Sequence, residues 1–298
     1  MITQVNKVSM VRLAILLGLA FYFPTAASAV YGQSRSRVIR TVDSTRVVPA
    51  RSMPAAAMRN LHLSRTLSWT FGGKQQVGWE IYTPLIAHVI GVEADAGSEE
   101  FASALSKWQL DNSLDPTGTL ELETLQALIG FWQRQRLGRS SPASEDSLIS
   151  APIAMFFDLT RDPGMLQLER RTYVAYQRMF AAAEKDLKDR KELIGKGDPV
   201  KENRYLSIVS AYRSPAYQEA LRRKAPNAGR VALAKFSAHS TGQALDIYVG
   251  GEPVSTKDRN RLLQVQTPAY KWLVKNANRF GFYNYFYEPW HWEYVPTP

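Results

Sequence analysis

A Ser- and Pro-rich stretch from Leu137 to Pro152 divides the chain into two parts with different hydrophobic patterns. Before it, apolar residues recur at helical spacing. After it, helical segments alternate with short runs in which every second residue is apolar. Because the stretch is aperiodic, it is typical of a linker, to which we assign residues 139–165. The pattern predicts a small helical domain over residues 67–138 and a second domain over residues 166–298, each large enough to bury a core.

The first part has the signals of a three-helix unit. Ser98 is placed as an N-cap, acidic residues follow it, and Phe101, Leu105 and Trp108 recur at helical spacing. The order of motifs resembles the peptidoglycan-binding domain found beside many wall hydrolases. The matching pieces are Trp108-Gln109, Leu114 to Gly118, Leu120, Thr124, Leu125 and Leu128, while Asn112-Ser113 replace the usual small pair. The resemblance implies attachment to the wall polymer, and a helical bundle used only for packing is the alternative.

The second part interleaves helices and strands. The spacing predicts a long helix over Leu168 to Leu193 and a strand over Tyr205 to Ser214. A short helix opens at Pro215, and a later helix is ended by Gly281. Since the strands return in hairpin-like fashion, we expect an α+β fold with a small, mainly antiparallel sheet and flanking helices.

The N-terminus has the layout of a secretory signal peptide. Lys7 and Arg12 precede the apolar stretch Leu13 to Phe23, and Ala27-Ser28-Ala29 has the pattern of a cleavage site. The alternative is an uncleaved membrane anchor, for which the apolar stretch is short, since a bilayer core of about 30 Å needs ~20 residues. We therefore expect residues 1–29 to be removed, leaving a protein exported to the periplasm, cell wall or extracellular space without a stable membrane span.

The chain is basic, with a formal net charge of +10. Removal of the signal peptide takes away Lys7 and Arg12 and no acid, which leaves 10 − 2 = +8. Much of this charge lies in residues 30–66, where seven arginines accompany one acid, Asp43. We interpret this region as a solvated, poorly ordered arm, with weak attachment to an anionic surface as the functional alternative. An anionic wall polymer suits an exported chain better than nucleic acid as the partner.

The chain contains no cysteine. It therefore has no disulfide, no thiol nucleophile and no thiolate metal ligand. This excludes L,D-transpeptidases, which often accompany similar binding domains but need a nucleophilic cysteine. Any metal site must be built from His, Asp and Glu.

His239 and His291 are two of only four histidines, and both lie in polar settings inside apolar segments. In the alternating run 244–249, Asp246 lies on the face opposite the apolar residues. Catalytic zinc takes three such ligands and leaves one position for water. The seven-residue interval from His239 to Asp246 does not fit two ligands one helical turn apart, and suits a turn at Gly242 that feeds a strand. A structural His–Asp hydrogen bond is the alternative.

Peptide hydrolysis at such a site also needs a base that takes a proton from water and passes it to the leaving amine. Glu288 and Glu293 bracket His291 in the sequence. In a regular strand Glu288 and His291 would lie on opposite faces, so Glu288 reaches the site only if the chain bends near Pro289. We interpret Glu293 as a residue of the rim.

Three blocks together resemble the zinc D-alanyl-D-alanine carboxypeptidases of the VanY type, within the LAS metallopeptidases. The blocks are Ser210-Ala211-Tyr212-Arg213-Ser214 with Gln218, Ser237-x-His239 with Asp246, and Glu288-Pro289-Trp290-His291. The resemblance implies Zn²⁺ held by His239, Asp246 and His291, with Glu288 as general base and then acid. It further implies that Arg213 stabilises the oxyanion or fixes the substrate. Further contacts to the substrate are implied for Ser237, Gln218 and Trp290.

These features predict an exported zinc peptidase that hydrolyses peptidoglycan stem peptides and releases a C-terminal D-alanine. D,D- or L,D-endopeptidase action on the same polymer is the enzymatic alternative. A wall-binding scaffold without activity is the non-enzymatic one, and it predicts binding to the wall without hydrolysis and without stoichiometric zinc.

Overall fold

The structure, a computed structural model, describes residues 52–138, 141–188, 204–224 and 237–296. The predicted signal peptide, residues 30–51 of the predicted arm and the last residues of the predicted long helix lie outside these ranges. Among the helices of the described ranges, none has the combined length and hydropathy needed to cross a membrane.

Residues 52–138 form four helices and one hairpin. In chain order these are α1 Met53–Thr66, β1 Ser68–Phe71, β2 Lys74–Val77, α2 Thr83–Ile90, α3 Glu99–Asp111 and α4 Leu122–Gln135. The predicted three-helix unit corresponds to α2, α3 and α4. Ser98 caps α3 as predicted, since its hydroxyl accepts a hydrogen bond of 3.1 Å from the backbone N–H of Phe101.

Helix α1 corrects the prediction that residues 30–66 form a poorly ordered arm. Its buried residues recur at helical spacing and include Met53, Ala56, Ala57 and Asn60. Asn60 donates to the carbonyl of Gly118 at 2.9 Å and accepts from the N–H of Leu120 at 2.7 Å. Within α1, Arg59 and Arg65 lie on the exposed face. The basic composition of residues 30–66 outweighs this short apolar stripe, which is why composition alone suggests disorder.

The segment predicted as a linker is in fact partly folded onto the second domain. Strand β3, Leu148–Ser150, pairs antiparallel with β4, Gln167–Glu169. Phe156 forms a parallel bridge with Ile208 and is fully buried. Because β4 occupies the start of the predicted long helix, that helix begins only at Arg170.

The second part contains a four-stranded antiparallel sheet in the order β5-β6-β8-β7. Its strands are β5 Ile208–Ser210, β6 Ala244–Ile247, β7 Phe282–Asn284 and β8 His291–Tyr294. The flanking helices are α5 Arg170–Lys188, α6 Pro215–Lys224, α7 Asp258–Gln266 and α8 Pro268–Asn276. This confirms the predicted α+β fold with a small antiparallel sheet, although α7 has no counterpart in the prediction.

The two parts of the chain share one hydrophobic core. The connection between β7 and β8 carries Phe286, whose ring lies 4.7 Å from that of Phe71 and 5.6 Å from that of Trp132. Close aromatic pairs of this kind add to the free energy gained from burial alone. The helical part is therefore packed directly against the loop that precedes His291.

Candidate metal centre

Sheet register places three polar residues in one row. Ser210 on β5 is the partner of Asp246 on β6, and Asp246 is the partner of His291 on β8. Directly opposed residues of antiparallel strands have side chains on the same face, close enough to interact. The sheet thereby brings together two residues that are 45 positions apart in the chain.

His239 reaches this row from a single turn of 3₁₀ helix, Ala238–Thr241, which is capped by the hydroxyl of Ser237. Gly242 ends the turn with φ of +68°, and a Cβ there would lie 2.8 Å from the backbone nitrogen of Glu169. Only glycine tolerates both conditions. The Nδ1 of His239 donates to the carbonyl oxygen of Ala211 at 2.7 Å, so Nε2 is left as the acceptor.

The two histidines converge on one oxygen of Asp246. Its Oδ1 lies 3.3 Å from Nε2 of His239 and 3.0 Å from Nδ1 of His291. One ligand atom from each of the three residues lies within 4.8 Å of the others, and all three side chains are buried. In a tetrahedral zinc site with bonds of ~2.1 Å, ligand atoms lie about 3.4 Å apart. The donor set and its spacing thus fit a zinc ion.

Arg213 holds the other oxygen of Asp246. Its Nη2 donates to Oδ2 at 2.9 Å, and its Nε donates to the hydroxyl of Ser210 at 3.2 Å. The backbone N–H of Arg213 also donates to the carbonyl of His239 at 3.2 Å. A guanidinium bonded in this way fixes the orientation of the carboxylate, so that Oδ1 faces the histidines. The structure therefore gives Arg213 a contact to the candidate metal ligand Asp246 that its predicted role did not include.

The electrostatics of the two histidines differ. Burial lowers the pKa of His239, and the neighbouring charge of Arg213 lowers it further. Burial would also lower the pKa of His291, but hydrogen bonds to Asp246 and Glu293 outweigh it and raise the pKa to about 9. Burial would raise the pKa of Asp246, but the charge and hydrogen bond of His239, the hydrogen bond of His291 and the charge of Arg213 outweigh it and hold the pKa well below its usual range. A metal ion that bound Nδ1 of His291 would therefore have to displace a proton.

Comparison with known families bears on the second part of the chain. Residues 165–297 match the model of the family described as VanY, D-alanyl-D-alanine carboxypeptidase. This region is therefore similar to the VanY family. Among solved structures, the chain is similar to that of the LdcB LD-carboxypeptidase, with 24% identity and a TM-score of 0.35 over 54% of this chain and 72% of that chain. No curated protein matches the chain.

Glu288 of the VanY-type region lies in two successive turns. Its N–H donates to the carbonyl of Tyr285 at 2.8 Å, and its own carbonyl accepts from the N–H of His291 at 3.0 Å. The second turn contains Pro289 at the position where proline is favoured. The bend that the sequence required between Glu288 and His291 is therefore present. Glu288 is buried three residues before His291, and its role as base stays a prediction.

The remaining predicted substrate contacts, Ser237, Gln218 and Trp290, are all buried. Ser237 caps the turn that carries His239, and Trp290 directly precedes His291. Gln218 lies on α6, and its side-chain carbonyl oxygen is buried with no hydrogen-bond partner among the described residues. The structure thus ties Ser237 and Trp290 to the two histidine-bearing segments, while their contacts to a substrate stay predictions.

The sequence predicts the wrong location for one residue of the site, Glu293, and gives no indication of a second, Arg136. Glu293 is not at the rim, since it is only 1% exposed and its Oε1 accepts from Nε2 of His291 at 3.1 Å. The same carboxylate is paired with Arg136, which lies just after α4 in the helical part. Alternation along β8 places Glu293 on the face of His291, and this signal could have found it. No local pattern indicates Arg136, which is 157 residues distant.

Proposed function

We propose that this chain is an exported, zinc-dependent carboxypeptidase that removes the C-terminal D-alanine from peptidoglycan stem peptides. The observation that carries the proposal is the convergence of His239 and His291 on one oxygen of Asp246, inside a region that matches the VanY family. Export is supported by the signal-peptide layout of residues 1–29. The helical part, with its peptidoglycan-binding-like motifs, would hold the enzyme on its polymeric substrate.

The residues present supply the donors that a catalytic zinc needs. His239 would bind it through Nε2, His291 through Nδ1 and Asp246 through Oδ1, with a fourth position left for water. Zinc at this site would supply a Lewis acid that makes water a nucleophile near neutral pH. The hydrogen bonds from His239 to Ala211 and from His291 to Glu293 fix which ring nitrogen faces the ion.

Glu288 is proposed to move the proton during hydrolysis. Its carboxylate takes a proton from the attacking water, whose oxygen forms a bond to the carbonyl carbon of the scissile amide. Glu288 then gives that proton to the leaving nitrogen as the C–N bond breaks, which releases D-alanine as a free amino acid. Its burial, three residues before His291, supports this assignment, because a carboxylate shielded from bulk water exchanges protons with the bound reactants.

Arg213 is proposed to serve both Asp246 and the substrate. Nε and Nη2 bond to Ser210 and Asp246, and Nη1 takes no part in these two hydrogen bonds. A planar guanidinium can use the remaining nitrogen to donate to an oxyanion or to the terminal carboxylate of a peptide. Its side chain is 18% exposed, so the guanidinium is not fully enclosed by its present partners.

Mass analysis of defined muropeptides incubated with the zinc-loaded protein tests the proposed function. Loss of a single terminal D-alanine from a pentapeptide stem is the expected result, abolished by a chelator and restored by zinc. Cleavage inside a cross-link would indicate endopeptidase action, and loss of the residue next in from a tetrapeptide stem would indicate L,D-specificity. Binding to the wall polymer without any product would contradict the enzymatic proposal.

A further inference from the structure

We propose that Glu293 and Arg136 are positioning residues for His291. Through Arg136, the N-terminal helical part then helps to orient a residue of the metal centre. The proposal rests on the proposed function in one respect, namely that His291 binds zinc. It assigns to residues 52–138 a role beyond attachment to the wall.

The first step is the contact between Glu293 and His291. The carboxylate Oε1 lies 3.1 Å from Nε2, the ring nitrogen that points away from Asp246. A carboxylate in this position keeps the proton on Nε2, leaves Nδ1 free to bind a metal, and increases the basicity of the ring. His239 is held in the corresponding way by the carbonyl of Ala211, which is a neutral acceptor from its own part of the chain.

The second step is what holds Glu293. Oε1 is paired with the guanidinium of Arg136, and Oε2 accepts from the backbone N–H of Leu137 at 3.0 Å. Both partners lie at the end of the helical part. Arg136, Leu137 and His291 together bond to both oxygens of the carboxylate. Because Arg136 and Leu137 lie outside the VanY-type region, that region alone does not fix the position of Glu293.

The third step is what holds Arg136. Its guanidinium lies 4.1 Å above the ring of Tyr285, and its Nη1 donates to Gln133 of α4 at 2.9 Å. Tyr285 opens the pair of turns that contains Glu288, so Arg136 contacts both that loop and β8. Its side chain is only 14% exposed. This fixes the guanidinium by stacking as well as by charge.

Stability alone is a poor explanation for this arrangement. A buried ion pair gains little net free energy, because desolvation of both charges offsets their attraction. The helical part also has exposed pairs such as Arg59–Glu121, with side chains 61% and 54% exposed, which avoid that cost. A buried pair placed against a metal ligand is better explained by the orientation it gives to His291.

The test measures zinc affinity of the full chain by competition with a chelator, and the visible spectrum of the cobalt-substituted protein. Because Glu293→Gln keeps the shape of the side chain, we expect a folded protein whose zinc affinity is about tenfold lower and whose cobalt spectrum is altered. Arg136→Ala should weaken zinc binding less, by severalfold, and Arg136→Lys should restore part of the loss. In the double variant the two losses should not add, since both act through one contact.

Arg59→Ala is the matched control, because it removes an arginine of the same part from an exposed ion pair. We expect its zinc affinity to equal that of the wild type. Wild-type zinc affinity in both Glu293→Gln and Arg136→Ala, even with a lower melting temperature, would overturn the inference. A protein that binds zinc with this dependence on Glu293 and releases no D-alanine would support the inference while contradicting the proposed function.

Discussion

His239 and His291 lie on two sides of Asp246 and are held by different regions of the molecule. On one side, His239 lies in a capped turn and bonds to the carbonyl of Ala211, so its surroundings come from the VanY-type region itself. On the other, His291 bonds to Glu293, which is held by Arg136 and Leu137 from the helical part. The difference teaches that half of this centre is local and half depends on how the two parts pack.

Replacement of either histidine by alanine is expected to have the largest effect, and the loss of zinc affinity should be similar for His239 and His291. If three ligands share a zinc-binding free energy on the order of 10 kcal/mol, loss of one should weaken binding by roughly 300-fold. Hydrolysis should be lost with it. Chelator competition on His239→Ala and His291→Ala measures the loss. A histidine whose alanine variant keeps the wild-type zinc affinity is not a metal ligand.

Glu288→Gln is expected to separate chemistry from metal binding. If Glu288 moves the proton, the variant should lose about a hundredfold to ten thousandfold in kcat while zinc affinity stays unchanged. The contrast with Glu293→Gln is then direct, since that variant should change zinc affinity first. Full activity of Glu288→Gln would show that Glu288 is not the general base.

The sequence predicts the local half of the site well and the interdomain half poorly. Asp246 and His239 can be placed because a glycine turn followed by an alternating strand determines where their side chains go. Alternation along β8 predicts which face Glu293 lies on, but not its burial, because that depends on Arg136, a partner 157 residues away that no local pattern indicates. Helix α1 is not predicted for a related reason. Its apolar stripe is short, and it is buried only because α1 packs against α3, a distant part of the chain.

Phe286→Ala is expected to damage the interdomain side selectively. Phe286 is 1% exposed and packs between Phe71 and Trp132, so truncation should cost about 3–5 kcal/mol in the free energy of unfolding. Because Phe286 belongs to the loop beside Tyr285, zinc affinity should fall as well. Urea unfolding and chelator competition measure the two effects.

Phe156→Ala is the matched variant on the local side. Phe156 is fully buried and bridges Ile208 on β5, the outer strand at the end of the sheet opposite β7. We expect a similar loss of stability with zinc affinity close to that of the wild type. Equal losses of zinc affinity in both phenylalanine variants would show that the two sides are not distinct.

The smallest expected effect is a loss of folding stability at alkaline pH caused by Tyr82, which contacts Arg261 across the two parts of the chain. Burial raises the pKa of Tyr82 to about 12, although its hydrogen bond of 3.1 Å from Arg261 opposes the shift. Since the folded pKa lies above the unfolded value, the stabilisation is complete below the unfolded value and is lost as the pH rises through the folded one. Between about pH 9 and about pH 11 this loss should reach about 1 kcal/mol in the wild type and be absent in Tyr82→Phe. Urea unfolding of both proteins across this range measures the difference, and a constant gap between them would mean that Tyr82 keeps an ordinary pKa.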